Sequence, residues 1–211
     1  MNTIRLSVTC ILFSIFASQA TEITIRLAES KDLPFLKTLS KRGINEDFRN
    51  TLIDGYPASP VIQSQILLDT YLTNMTTTFE GIFESIFEEK QLQDNRQRLF
   101  VAVQNKNDPT IVGLCFSQQI SDCQAYIRYL VVDKDCRHQG IGSSLLMETL
   151  NSYENITSCE LKTFAHANDK VQAFYEKHGF VSDKIPAPLQ KKYSEHSDSI
   201  TFVLYHLDIN K

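Results

Sequence analysis

The chain is 211 residues long, which suits one domain with an appendage and leaves little room for two. Its 42% apolar and 22% charged residues match an ordinary globular balance, and only 7 Gly and 6 Pro exclude collagen-like or low-complexity sequence. With 21 basic against 25 acidic side chains, a formal charge of -4 offers no polycation for phosphate backbones, so nucleic acid is not an expected partner.

The appendage comes first. Met1 to Ile4 leads into Arg5, then an uncharged run from Leu6 to Phe16, then the small residues of Ala17-Ser18-Gln19-Ala20. These are the three parts of a secretory signal, so residues 1–20 are expected to be removed and residues 21–211 to fold. The run is far shorter than the roughly 20 apolar residues that cross a bilayer, so no stable membrane anchor is expected. Export follows if the signal is used, and a cytoplasmic location otherwise. Cys10 leaves with the signal, while Cys115, Cys123, Cys136 and Cys159 stay. Cys115 and Cys159 lie in apolar runs, where free Cys packs as a small hydrophobe, and no pair has zinc-site spacing, so free thiols and no metal are expected. Asn74-Met75-Thr76 and Asn155-Ile156-Thr157 are glycosylation sequons that matter only for a secreted eukaryotic protein.

Ile23, Ile25 and Leu27 alternate with polar residues and predict an opening strand. Ser30 is positioned to cap a helix from Lys31, with Leu33, Leu36 and Leu39 on one face and Gly43 as its stop. Asp54-Gly55, Pro57 and Pro60 mark a loop from Asp47 to Pro60. Ile62, Ile66, Leu67, Tyr71 and Leu72 keep helical spacing. A further amphipathic helix is expected after the capping-box pair Thr77 and Glu80, its stripe of Phe79, Ile82, Phe83, Ile86 and Phe87 serving core packing. Residues 41–97 thus form a helical insertion. Between Ile44 and Asn95 stand nine acidic and two basic residues, a balance suited to a cationic ligand.

Leu99 to Val103 and Ile111 to Phe116 read as a hairpin turning at Lys106-Asn107-Asp108-Pro109, and Tyr126 to Val132 as a third strand. Helical spacing returns at Ile141, Leu145, Leu146, Thr149 and Leu150. A strand at Leu161 to Phe164, a helix at Val171 to Lys177 and a strand at Ile200 to Leu207 close the chain. Strands grouped first, then strand and helix alternating, indicate an α/β (α+β) domain with a mixed sheet flanked by helices.

The chemistry sits where the strand ending at Val132 runs through Asp133-Lys134-Asp135-Cys136-Arg137-His138-Gln139-Gly140 into a helix beginning near Ile141. Unpaired N–H groups and the positive end of the helix dipole converge there, and two glycines let a backbone approach phosphate oxygens. A diphosphate is the expected ligand, with Arg137 as a charged donor. A dinucleotide fingerprint fails because Leu145 stands where a third Gly or Ala is needed, and a Walker loop fails because Gly142 is followed by Ser143-Ser144 without Lys.

Arg137-His138-Gln139-Gly140-Ile141-Gly142 resembles the acetyl-CoA pyrophosphate loop of the GNAT N-acetyltransferase superfamily, Gln/Arg-x-x-Gly-x-Gly/Ala. Downstream, Asn168 to Phe180, with Asn168, Phe174-Tyr175 and Gly179-Phe180, resembles its second cofactor motif, and Ile23 to Leu39 its opening strand and helix. The resemblance implies a mixed, mainly antiparallel sheet, splayed after Tyr126 to Val132, of the acyl-CoA N-acyltransferase kind. It implies acetyl-CoA as cosubstrate, its pantetheine on the main chain of Leu130, Val131 and Val132. Arg137, His138, Gln139, Gly140, Ile141, Gly142 and Ser143 would cradle its pyrophosphate, and Asn168 and Tyr175 would face the thioester.

The implied activity is transfer of acetyl to an amine of a small molecule, peptide or protein. For a lysine-like amine, reaching the neutral form at pH 7 costs about 4.6 kcal/mol. Tyr175 is the expected catalytic acid for the departing thiolate, whose parent pKa is about 8.5. His166 is a weaker relay candidate. The family's strand Glu is replaced by Arg128, so the base is unassigned, with Glu80 and Glu84 as remote candidates. That gap supports an alternative: a catalytically degenerate module, exported as an effector, that binds coenzyme A or a protein partner without turnover.

Overall fold

The computed structural model describes residues 22–56, 59–88, 96–105, 108–164, 169–182 and 202–209. Residues 1–20, Lys106, Asn107, His166 and Asn168, to which expectations were attached, lie outside the described residues. The strands are β1 (Ile23–Leu27), β2 (Gln97–Gln104), β3 (Thr110–Ser121), β4 (Gln124–Val132), β5 (Ser158–Phe164), β6 (Val181–Ser182) and β7 (Phe202–Asp208). They form one sheet in the order β1-β2-β3-β4-β5-β7-β6. β4 and β5 run parallel, while the other neighbours pair antiparallel, so the mixed, mainly antiparallel expectation holds.

Each sheet face buries its own cluster. One face packs under α1 (Leu33–Gly43), α2 (Arg49–Gly55) and α4 (Gln65–Glu88), around Leu36, Leu52, Phe83, Leu114 and Tyr129. The other packs under α5 (Ile141–Asn151) and α6 (Asp169–Lys177), around Ala125, Ile127, Leu145, Leu161 and Phe180. A short helix, α3 (Pro60–Gln63), precedes α4. The stripe of Phe79, Ile82, Phe83, Ile86 and Phe87 lies in or against the first cluster, as core packing requires.

Four local expectations are corrected. The entry to α1 is tied by Asp32 and not by Ser30. The Asp32 carboxylate accepts the Glu29 N–H at 2.8 Å and both Arg26 nitrogens at 2.7 and 2.9 Å, after a 3-10 turn over Ser30–Asp32. Gly43 does not stop the helix. The chain continues through a π-helical turn, Ile44–Phe48, into α2, so Asp47 to Gly55 is helical where a loop was expected. Thr77 does not start a helix either, because α4 runs unbroken from Gln65 to Glu88. Its threonines turn back on their own helix, Thr76 Oγ1 donating to the Leu72 carbonyl and Thr78 Oγ1 to that of Asn74, which replaces capping by i−4 bonds.

Gly43 has a different reason to be Gly. A Cβ there would stand 2.8 Å from Val131 Cγ2 and 3.0 Å from the Tyr129 hydroxyl, so the missing side chain is what lets α1 lie against β4. Gly43→Ala is expected to destabilise the fold by about 1–3 kcal/mol through overpacking, read as a lower urea midpoint at unchanged slope. An unchanged midpoint would refute the close-approach role.

Candidate active site

The site begins where the sheet comes apart. The ladder of β4 with β5 runs from Gln124–Ser158 to Ile127–Leu161 and ends there, while β5 goes on pairing with β7 through Phe164. At the same point the register of β4 on β3 jumps, Phe116 facing Tyr129 and Ser117 facing Ile127, so Arg128 is the extra residue of a bulge. A bulge bends and twists its strand, which carries β4 away from β5. Arg128 itself bonds Gln118 Oε1 at 2.9 Å and lies 5.0 Å from the Tyr126 ring centroid.

Beyond the bulge, alternation fixes which main-chain groups face the gap. The Asp133 N–H donates to the Val112 carbonyl on β3 at 2.8 Å, so Val131 also points its main chain at β3, whereas Leu130 and Val132 point theirs into the splay. Of the three residues expected to pair with a pantetheine, two are therefore oriented for it and Val131 is not. The Val132 carbonyl already accepts a bond from Arg137 Nε at 2.9 Å.

The loop after β4 is shaped by two left-handed residues, His138 at φ 62° and Gly140 at φ 80°. A non-Gly residue in this region costs about 1–2 kcal/mol and is seldom kept without use. Gly140 is the N-cap of α5 and offers no side-chain cap. The N–H groups of Ile141, Gly142 and Ser143 have no carbonyl behind them within the helix, and the dipole adds positive potential. His138, Gln139 and Gly140 are exposed and Gly142 and Ser143 half-buried, so an anion can reach them; Ile141 turns its side chain into the core. A Cβ at Gly142 would stand 3.5 Å from the Phe174 ring of α6 and 3.6 Å from Val132 Cγ2, ordinary contact distances that leave room for a side chain.

Arg137 does not offer its charge to this anion site as expected from sequence. Its guanidinium donates to both Asp47 oxygens, at 3.0 and 2.5 Å, besides the Val132 carbonyl. Two further ion pairs run alongside, Arg42 with Asp133 and Lys134 with Glu46, the latter at 3.3 Å. Together they latch the loop to the π-helical turn and border a shallow, open cleft against Gly43 and Val131. The latch was invisible in the sequence because its partners lie about 90 positions apart and each charge alone reads as surface.

Tyr175 sits on α6 with its ring edge-on to Phe174 and Phe180, at 5.1 and 5.8 Å, and 5.9 Å from the Tyr205 ring. Burial holds its pKa well above the ordinary phenol value. α6 ends in a left-handed Gly179, with the Phe180 N–H on the Tyr175 carbonyl at 3.1 Å and the Gly179 N–H on that of Glu176 at 3.0 Å. The Gly-Phe pair is thus a helix stop followed by a buried anchor.

The other candidates are placed as follows. Glu84 is ion-paired with Lys37, and Glu80 lies in the field of the same lysine. Asp69 pairs with Arg49. With Glu46 and Asp47 in the latch, much of the acidic surplus of residues 44–95 is neutralised internally and does not await a cation. Cys115 and Cys159 are free and buried, and burial pushes both thiols up to about 12, so they stay neutral core groups. Cys123 is exposed and Cys136 half-buried. Among the described residues there is no group of three or more His, Cys, Asp or Glu placed to hold a metal, and no helix long and apolar enough to cross a membrane.

The model of the Acetyltransferase (GNAT) domain matches residues 95–182. Solved structures with the same fold include an N-acetyltransferase, PaiA, from Thermoplasma acidophilum in complex with coenzyme A, at 18% identity and TM-score 0.62 over 89% of this chain and 99% of that one. The ribosomal-protein-S18-alanine N-acetyltransferase from Escherichia coli matches at 21% identity and TM-score 0.53, over 90% and 96%. A spermidine N-acetyltransferase from Vibrio cholerae, in complex with CoA and spermine, matches at 18% and 0.54, over 88% and 95%. No curated protein matches by sequence.

Because Asp47 absorbs the charge of Arg137, Asp47→Asn should strengthen coenzyme A binding about threefold, the effect of one charge removed near 6 Å in a water-like dielectric. Arg137→Ala, which loses the brace on Val132 as well, should weaken it. Titration calorimetry reads both signs, and weaker binding by Asp47→Asn would show that the pair acts only as a brace.

Proposed function

The chain carries an acetyltransferase domain of the GNAT superfamily, and on that premise we propose that it transfers the acetyl group of acetyl-CoA directly to an amine. The observation that carries this is the β4–β5 splay opening beside the uncapped N-terminus of α5. In it, main-chain groups of Leu130 and Val132 are turned to receive an extended amide-bearing arm. Amides from His138 to Ser143 are grouped within reach of a diphosphate. Bound acetyl-CoA would supply the activated thioester; the protein's part is to hold it straight and to manage charge.

Leu130 and Val132 align the arm as an added strand would, which fixes the reacting carbon relative to α6. Tyr175, on that helix, is kept protonated by burial across the physiological range. A phenol pushed up this far gives a proton to a thiolate of ordinary pKa only uphill, so its work is to donate a hydrogen bond to the developing sulfur charge. This refines the expectation of full proton donation. Asn168 belongs to the same reading as a thioester-side residue, and the reading of residues 1–20 as an export signal accompanies it; N-terminal sequencing of the natural protein checks the latter.

The acceptor is an amine, of cationic character in its resting state. Likeness to the Vibrio spermidine enzyme and the Escherichia ribosomal-protein enzyme supports the reaction class and leaves small amine, peptide and protein open. The second reading, a module that binds coenzyme A without turnover, draws on one observation: Arg128 occupies the bulge where the family carries its base.

Gly142→Asp separates binding from folding. A carboxylate in the first turn of α5 favours the helix dipole by roughly 0.3–1 kcal/mol, yet it stands where the diphosphate must sit. The variant should melt no lower than the parent while losing at least about tenfold in coenzyme A affinity by calorimetry. Retained affinity would remove the pyrophosphate site. Release of free thiol from acetyl-CoA with an amine panel distinguishes transfer from binding alone.

A further inference from the structure

On the face of the sheet away from α5 and α6, one ring stands across the parted strands. The last rung of β4 on β5 is Ile127–Leu161, so Tyr129 and Phe164 lie beyond it, one on each side of the gap. The Phe48 ring meets both edge-on, its centroid 6.1 Å from that of Tyr129 and 5.4 Å from that of Phe164. T-shaped pairs at this separation are in contact, so Phe48 bridges the gap from this face. Phe79 continues the row behind Tyr129 at 4.3 Å, and Tyr56 continues it behind Phe164 at 6.4 Å. Tyr129, Phe164 and Tyr56 are buried, whereas the bridging ring of Phe48 is half-buried and meets water.

The π-helical turn Ile44–Phe48 delivers this ring, and turns of that rare kind recur at functional sites. The preceding residue, Asp47, reaches instead to the Arg137 guanidinium, so the turn that sets the ring is itself tied to the anion loop. A diphosphate at the start of α5 puts the coenzyme on the α5 and α6 side, which leaves the second reactant the face that Phe48 occupies. A ring already in contact with Tyr129 and Phe164 leaves no place for a second ring between them. An unbranched methylene chain is narrower and can lie along the open part of Phe48.

We propose that Phe48 is the specificity-determining residue of the acceptor passage, admitting an amine carried on an unbranched aliphatic chain and excluding one with a ring close to its nitrogen. The proposal rests on the acetyl-transfer reading and names the class of amine for it. A cationic chain gains further from the aromatic face, which attracts an ammonium held within about 6 Å of the ring centroid. Phe48 moves no proton; it acts through the room it leaves.

The test uses the full chain, acetyl-CoA and two primary amines, 1,4-diaminobutane and phenethylamine, with kcat/KM read from thiol release. The parent should favour the diamine at least about tenfold, within the range by which pocket room discriminates substrates. Phe48→Ala opens a ring-sized hole between Tyr129 and Phe164, so it should move the ratio toward phenethylamine at least about tenfold while coenzyme A affinity stays within about twofold. Phe48→Leu keeps more of the packing and should move the ratio the same way by about threefold, which preserves the test if the alanine variant does not fold. A ring that only packs would change both amines alike. A ratio unchanged in the folded variants, or a parent that prefers phenethylamine, therefore overturns the proposal and leaves transfer standing. A parent that binds coenzyme A but acetylates neither amine overturns it and favours the binding-only reading, and one that binds no coenzyme A removes the transfer reading itself.

Discussion

One extra residue in one strand determines the working geometry. With Arg128 inserted opposite the step from Phe116 to Ser117, β4 cannot stay in register with both neighbours, and the added twist is released by parting from β5. Main-chain donors and acceptors at Leu130 and Val132 are thereby left on an internal edge inside a protein. Such groups cost free energy unless they are paired; Arg137 holds the Val132 carbonyl, and in the proposed reading an extended ligand with its own amides would pair with this edge. The bulge also swaps the faces of the strand. Ala125 and Ile127 point under α5 before it and Leu130 and Val132 after it, while Tyr129 and Val131 turn toward α1.

The parted end needs bracing, because a strand pulled off its neighbour has lost half its ladder. Two features supply it. Gly43 lets α1 settle directly on Val131 and Tyr129, whose hydroxyl reaches the Ser40 carbonyl at 3.3 Å and whose ring stacks on Phe79 with centroids 4.3 Å apart. The three ion pairs of the latch then hold the loop beyond Val132 against the π-helical turn. Pairs as exposed as Arg137 and Asp47 contribute about 1 kcal/mol at most, so their value is geometric more than energetic. They tie the loop beyond Val132 to the turn that joins α1 and α2.

How much of this the sequence shows depends on the range of the interaction. The loop around Gly140, the stop at Gly179 and the strand run from Tyr126 to Val132 are local, and each could be read from a few neighbouring residues. The bulge could not, because apart from Arg128 the run from Tyr126 to Val132 is apolar on both faces, and such a run conceals a shift in a two-residue period. Turn-rich composition misled at Asp47 to Gly55, where burial of Phe48 and Leu52 against Tyr129 and Phe164 overrides the preference of Asp54-Gly55 for a turn. Thr77 and Glu80 had capping spacing, but a cap requires an exposed helix end, and the apolar stripe continues through them. The partners of Arg137 and Glu160 are fixed only by tertiary register.

The two faces of the sheet divide the chemistry. Tyr175 sits on the α6 side, in an apolar setting of Phe174, Phe180 and Tyr205 where a charge is costly. Glu160 and His206 lie on the opposite face of the sheet, half-open to water, where charge is tolerated. An amine arrives charged and must lose a proton; a thioester arrives neutral and must shed a thiolate. In the proposed transfer, a wet face for the amine and a dry face for the thioester would give each reactant the environment its charge change requires.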